Sequence, residues 1–166
     1  YQFRQSASDN KTKNVQCLVD TEDRLWVMNE AVVMSMQNIS KSWRNVSMSD
    51  TTSYQVYNLS ANTPNRGLYA DEHGTVWVSN WKCIYRYGPA ENNFRSFCPE
   101  VQDQSLIYFY GKLGNKLMVS LGLNIVLFDR QTWGTSVLIN FKSEKYSISL
   151  TPNSVFIDNE NQLWIG

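Results

Sequence analysis

VFIDNENQLWIG, at residues 155–166, is the third writing of one small pattern; CLVDTEDRLWVM (17–28) and LYADEHGTVWVS (68–79) are the others. In each, an apolar, β-rich run reaches an aspartate, polar or small residues follow, and an apolar residue, a tryptophan and Val or Ile resume the run. Asp20, Asp71 and Asp158 each stand six residues before Trp26, Trp77 and Trp164. A degenerate copy, YGKLGNKLMVS (110–120), aligns without gaps when Lys112 takes the Asp place and Met118 the Trp place. The tryptophan-equivalent positions then lie 51, 41 and 46 residues apart, a period that four-stranded propeller blades produce.

Each copy predicts a β-hairpin. A carboxylate that accepts N–H groups from the residues after it nucleates a turn, and Asp23, Gly74 and Asn161 are residue types that tolerate positive φ at its end. Alternation along the second strand puts Trp26, Trp77 and Trp164 on one face and their aliphatic neighbours on the other. A sheet that is apolar on both faces must be covered on both, as a blade is by its neighbours.

Strands are expected throughout. The first repeat takes 15–20, 24–29, 31–37 and 53–57, with a loop insertion at 38–52; the second takes 67–71, 75–79, 82–87 and 93–97, with Gly88-Pro89 breaking its last hairpin. The third takes 106–110, 116–120, 124–129 and 134–140, and the fourth has two strands within 153–166. The blades so drawn are 15–57, 66–97, 106–140 and the start of a fourth at 153–166, preceded by a lone strand at 1–5. The class is all-β, and only 32–43 could be forced into a helical stripe.

The composition, 42% hydrophobic and 13% aromatic, supports a buried core and excludes disorder. Fifteen basic residues balance fifteen acidic ones with no long run of either, which gives nucleic acid or an anionic membrane surface nothing to bind. No apolar run approaches the roughly 18 residues of a membrane span. The chain opens at Tyr1 with neither signal peptide nor initiator Met, as expected of a mature or excised segment. Cys17, Cys83 and Cys98 are too scattered for a disulfide framework and are expected to be free; without a C-x-x-C pair, and with His73 as the single histidine, no metal site or cofactor is expected.

IDNENQLWIG, ADEHGTVWVSNWKCIYRYGPAENNFRSF and LGLNIVLFDRQTWGTSVL resemble the two-component regulator propeller repeat, an Asp-turn and L-W-[IV] hairpin followed by a G-L-Y-R-Y-D-like strand and an F-x-x-Y strand. The opening YQFRQ, with NVQCLVD and RLWVMN after a polar stretch, is similar to the start of the extracytoplasmic sensor of hybrid two-component systems in glycan-degrading gut bacteria. The resemblance implies a periplasmic receptor, usually two seven-bladed propellers and a β-sandwich domain, followed by a membrane helix and a histidine kinase. It also implies a homodimeric full-length protein that senses oligosaccharides. Lys112 and Met118 depart from the repeat, as do Glu30-Ala31 and Trp81-Lys82 where a small pair normally stands.

Three and a half blades cannot close a ring. The expectation is therefore an incomplete, seven-bladed propeller, a fragment whose other blades belong to the same receptor and whose last blade residues 1–5 could complete. Two copies pairing into one ring is the alternative. Ligands are expected where second strands turn into third strands and where blades join. Those places hold Asn29 and Glu30, Asn80, Trp81 and Lys82, Leu121 and Asn124, and Asn65, Arg66 and 102–104. Trp81 is the candidate sugar platform, or else packs under a neighbouring loop; Arg66 could grip a uronate or sulfate, or else pairs on the surface. Asp20, Trp26, Asp71, Gly74, Trp77, Asp158 and Trp164 are assigned to turns and core. A protein-binding scaffold remains a second reading, and a propeller glycosidase a third, since one aspartate per blade does not make the paired carboxylates of hydrolysis. The N-x-S/T matches at Asn38, Asn45 and Asn58 are the number chance supplies in an Asn/Ser-rich chain.

Overall fold

The computed structural model of the chain describes residues 15–37, 54–60, 63–99, 107–141, 152, 154–158, 160 and 162–166. The lone strand expected at 1–5, the 38–52 insertion, the 102–104 loop and Asn161 lie outside these residues. Every described element is a strand. The first sheet comprises β1 (Gln16–Val19), β2 (Leu25–Met28), β3 (Val33–Met36) and β4 (Tyr54–Tyr57), antiparallel and in chain order. The second comprises β5 (Asn65–Ala70), β6 (Val76–Asn80), β7 (Ile84–Gly88) and β8 (Asn93–Phe97); the third β9 (Phe109–Leu113), β10 (Lys116–Leu121), β11 (Asn124–Asp129) and β12 (Thr135–Asn140). A two-stranded sheet of β13 (Val155–Ile157) and β14 (Leu163–Ile165) follows.

The first strands of successive sheets lie against one another: β1 on β5, β5 on β9 and β9 on β13. The sheets therefore fan out from these inner strands, and the fan does not close. Its core lies between blades. The Trp26 face of the first sheet, with Met28, Val33 and Tyr57, packs on Val76, Val78, Tyr85 and Tyr87 of the second. One blade on, Trp77 and Ile84 pack on Leu117, Val119, Val126 and Phe128. Met118, in the tryptophan place of the third sheet, packs with Ile125 against Val155 of the fourth. Trp26 and Trp77 are 0% exposed. Burying a ring of that size removes some 150–250 Å² from water, about 4–6 kcal/mol by area. The face of the fourth sheet that would continue this series carries Trp164, 59% exposed, and Phe156 beside it.

The Asp-to-Trp spacing has a second physical cause besides the turn. Oδ1 of Asp20 accepts the backbone N–H of Glu22 (2.9 Å) and of Arg24 (3.0 Å), while its Oδ2 accepts the indole N–H of Trp26 at 2.8 Å. Asp71 repeats this with His73, Thr75 and Trp77, the indole bond being 3.1 Å, and Asp158 with Glu160, Gln162 and Trp164, at 2.7 Å. One carboxylate thus shapes the hairpin and satisfies the single donor of a ring that must be buried. Burial by itself would raise the Asp20 pKa, but the bonds from Trp26 and Arg24 outweigh it and hold the group below the usual carboxylate value.

The degenerate repeat follows the same logic. Met118 has no N–H to satisfy, so an acceptor in the Asp place has no partner to serve. Lys112 is consequently not a turn residue: it pairs with Leu117 inside the β9–β10 ladder, which continues to Leu113↔Lys116. A two-residue turn opened by Gly114 at φ +59° replaces the longer Asp loop. Asp23 and Gly74, at the same place in their loops, take φ of 57° and 73°. A Cβ at Gly74 would also run into the Thr21 side chain of the preceding blade, so strain and sterics both require glycine there.

The expectation of three free cysteines is corrected. Cys83 and Cys98 form a disulfide, with Cα atoms 4.1 Å apart, and only Cys17 is free. The pair lies five positions outward from Gly88↔Asn93 in a regular β7–β8 ladder, so the two residues face each other across the strands. It staples the outermost strand of the second blade to its neighbour.

Asp20→Ala leaves the buried Trp26 donor without an acceptor and should destabilise the fold by about 2–3 kcal/mol, whereas Asp158→Ala, beside a ring that water reaches, should cost under about 1 kcal/mol. Urea unfolding midpoints of the two variants check the contrast. Opening the disulfide, which closes a 15-residue separation, should cost about 3 kcal/mol in a thermal melt under dithiothreitol relative to the same melt without it.

Candidate ligand-binding site

The two ends of each blade differ in chemistry. At one end stand the Asp turns; at the other, the chain passes from second to third strand. There Asn29, three residues after Trp26, accepts the N–H groups of Ala31 (2.8 Å) and Val32 (2.9 Å) on Oδ1. Asn80, three residues after Trp77, accepts those of Lys82 and Cys83, both at 2.8 Å, and donates through Nδ2 to the Tyr85 hydroxyl at 3.0 Å. Asn29 and Asn80 are therefore turn formers, with their oxygens engaged in their own loops. In the third blade this place is taken by Leu121, followed by Gly122 at φ +64°.

Six residues from three segments, 29–30, 65–66 and 80–81, meet at this end of the first two blades. The β5–β6 ladder pairs Asn65 with Asn80 and Gly67 with Ser79, leaving Arg66 as the extra residue of a bulge. A bulge turns two consecutive side chains to similar directions instead of opposite ones. Asn65 donates through its backbone N–H to the Glu30 carbonyl (2.9 Å) and through Nδ2 to the Asn29 carbonyl (3.2 Å). Arg66 places Nη1 3.0 Å from Oε1 of Glu30 and its guanidinium 5.5 Å from the centre of the Trp81 ring. Gln16 on β1 clamps this bulge, donating to the Arg66 carbonyl at 2.7 Å and accepting the Leu68 N–H at 2.9 Å.

Of the residues singled out in the sequence, Asn29, Arg66, Asn80 and Trp81 thus share one region, together with Glu30 and Asn65. Lys82 is exposed beside them and contributes its N–H to the Asn80 turn. Asn124, in the corresponding turn of the third blade, pairs with Leu121 and Asn140 and makes no described contact with the cluster. The cluster contains an unusual set of buried atoms. Oδ1 of Asn65, Nε of Arg66 and Nε1 of Trp81 have no hydrogen-bond partner among the described residues, and Asn65 is only 4% exposed. The Arg66 charge is already matched by Glu30, and the Trp81 ring is stacked by the same guanidinium.

The Asp-turn end holds a different network. Arg130, in the β11–β12 turn, donates to both carboxylate oxygens of Glu72 at 3.0 and 3.1 Å, to Asp71 Oδ2 at 3.1 Å and to the Asn115 carbonyl at 2.7 Å. Lys112 lies 3.4 Å from Glu72. These bonds join the second blade to the third. His73 is exposed at this end, and no group of three or more metal-ligating side chains occurs among the described residues. Sequence reasoning missed Gln16 and Arg130; their partners on the neighbouring blade are 50 or more residues away.

No protein-family model and no curated protein matches the chain. Solved structures do. A catalytically inactive variant of virginiamycin B lyase from Staphylococcus aureus, with quinupristin, superposes with a TM-score of 0.66 at 13% identity, over 94% of this chain and 50% of the lyase. The extracellular domain of a putative hybrid two-component system from B. thetaiotaomicron superposes with a TM-score of 0.60 at 17% identity, over 92% of this chain and 19% of that one. A second structure of such a domain, described as a putative one-component system, gives 0.59 at 16% identity and the same coverage. The chain thus spans half or less of each structure. At such identities the likeness is one of fold: the sheets are β-propeller blades, in an all-β arrangement that does not close.

The Glu72–Arg130 bridge generates a pH prediction. Hydrogen bonds from Arg130 come first among the causes that lower the Glu72 pKa from 4.5 to about 2. A folded-state pKa below the unfolded one means that the stabilisation is complete above about pH 4.5 and is lost as the pH falls toward 2. Glu72→Gln should flatten the dependence of unfolding free energy on pH in that window, while leaving the slope at neutral pH unchanged; urea titrations at stepped pH measure both.

Proposed function

We propose that this chain is part of the ligand-sensing region of an extracytoplasmic sensor of the two-component type, binding an oligosaccharide without transforming it. The observation that carries the reading is the cluster of Glu30, Asn65, Arg66 and Trp81. It combines an aromatic ring, a fixed arginine and unpaired buried donors and an acceptor at the variable-turn end of two blades. Sugars offer C–H faces to such a ring and hydroxyls to such polar atoms. The solved extracellular domains of putative sensors support the reading through their shared fold, as does the resemblance of the repeat. The Cys83–Cys98 disulfide favours an oxidising, extracytoplasmic compartment, which the periplasm provides. A bound sugar would signal by favouring one of two receptor arrangements, and needs differential affinity for them to do so.

Catalysis is the weaker reading. Asp20, Asp71 and Asp158 are spread one to a blade, and each is occupied by its turn and its indole. The lyase whose fold is shared was inactivated by replacing a histidine. The single histidine here, His73, is in an Asp turn, at the opposite end of the blade from Trp81. A protein-binding scaffold is the other non-catalytic reading, and no specific observation favours it.

Calorimetric titration of the full chain with a panel of plant and host oligosaccharides tests the proposal. Saturable heats with at least one, and no change in the sugar recovered afterwards, are expected. Absence of binding across the panel would reject it, and a cleaved sugar would reinstate an enzyme.

A further inference from the structure

We infer that the bulge at Asn65 and Arg66, together with Trp81, forms a subsite for one hydroxyl group of an uncharged, polyhydroxylated ligand. The inference rests on the saccharide-sensing reading and specifies where a saccharide binds and of which charge class it is. Three observations carry it.

The first is the balance of unpaired atoms. Arg66 Nε–H and Trp81 Nε1–H are donors, Asn65 Oδ1 is an acceptor, and each is buried without a partner among the described residues. Native structures pair such groups with few exceptions, and each exception asks for a cause. A hydroxyl oxygen accepts two hydrogen bonds and donates one, which is the complement of this set. The orientation of Asn65 is fixed by its surroundings: its Nδ2 faces the Asn29 carbonyl at 3.2 Å, so the oxygen is the atom left unpaired.

The second is geometry. A regular strand would send Asn65 and Arg66 to opposite faces; the bulge opposite Asn80 relaxes that alternation, and the Arg66 guanidinium lies 5.5 Å from the centre of the Trp81 ring while the Asn65 amide next to it stays buried. Both sides of the subsite are braced. Gln16 holds the backbone of β5, and the Cys83–Cys98 disulfide together with the Asn80 bonds holds the turn that carries Trp81. The unpaired atoms are themselves buried, while Arg66 and Trp81 as whole residues are partly exposed. Because the three atoms are buried, the exposed end of the Arg66 side chain must shift along the ring as a hydroxyl enters, while the braced backbone stays in place.

The third is charge. Glu30 lies 3.0 Å from Arg66 Nη1, so the arginine has no uncompensated charge to offer. A uronate or sulfate would have to displace Glu30 or bind beside it, whereas a neutral sugar needs neither. The anion grip suggested by Arg66 in the sequence is therefore replaced by a hydroxyl grip.

The test is a titration of the ¹⁵N-labelled full chain with cellohexaose and mannohexaose as neutral probes and hexagalacturonate as the anionic one. The readouts are the Trp81 indole N–H and the Arg66 Nε–H signals, assigned through Trp81→Phe and Arg66→Lys. A neutral hexasaccharide is expected to move both signals. Trp81→Phe, which keeps the ring, and Arg66→Lys, which keeps the charge toward Glu30, should each weaken binding roughly tenfold, the loss of about one hydrogen bond. Glu30→Gln should leave neutral binding within about twofold and admit the uronate. Saccharide binding that moves only signals elsewhere overturns the subsite while leaving the sensing reading intact. Tighter binding of hexagalacturonate to the unaltered chain overturns the charge class. If no saccharide moves either signal and both N–H groups show exchange with a resident water, water is their partner and the subsite is rejected.

Discussion

The bond between a turn aspartate and the indole six residues later is the constraint on which the rest of the structure depends. A tryptophan between two blades supplies more apolar area than any other residue could, but its N–H must be satisfied where water is excluded. Asp20 and Asp71 answer that need from within the same hairpin, while the other carboxylate oxygen shapes the turn. Each hairpin is thus complete before it meets a neighbour, so the unit can be repeated with different loops. The third blade, with Met118 for tryptophan and Lys112 for aspartate, replaces both partners together. Losing only the acceptor would have left a buried donor.

This arrangement divides labour between the two ends of the fan. The Asp turns hold the blades to one another, directly or through Arg130 and Arg24, which reaches Tyr87 of the next blade at 3.3 Å. The opposite turns are closed by Asn29 and Asn80 acting on their own loops, so side chains next to them are free to vary. Glu30 and Trp81 stand in those free positions. The bulge at Arg66 adds a residue from an inner strand, and the disulfide restrains the turn from outside. Rigid surroundings matter here, because an unpaired buried donor keeps its direction only if the backbone cannot relax to satisfy it.

The faces at the two ends of the fan follow from the same repetition. Trp164 and Phe156 present the surface that Trp26 and Leu18 present to the second blade, and Val19 and Val56 lie exposed on the outward side of the first. Their exposure records that the described sheets form an open fan, in which inner faces are covered by neighbours and outer ones are not.

Much of this was legible in the amino-acid order. The period, the hairpins, the all-β class and the tolerance of positive φ at Asp23 and Gly74 follow from local chemistry, since turn residues and alternation act over a few positions. The aspartate was legible as a turn former, yet its bond to tryptophan was not, because a six-residue spacing becomes a contact only once the hairpin register is set. The Cys83–Cys98 pairing was missed although it could have been counted outward from the Gly88-Pro89 turn; spacing along the chain carried no framework, and cross-strand register decided the bond. The candidate site lies further from sequence still. Asn29, Arg66 and Trp81 were named as loop residues, but only the stacking of two blades brings Glu30 to Arg66, and only the tertiary structure shows the one-residue bulge at Arg66 and its guanidinium over the Trp81 ring. Local pattern determined the blade; packing between blades, which at the candidate site joins Asn29 to Asn65 and Glu30 to Arg66 across 36 positions, decided which polar atoms are paired and which are left open.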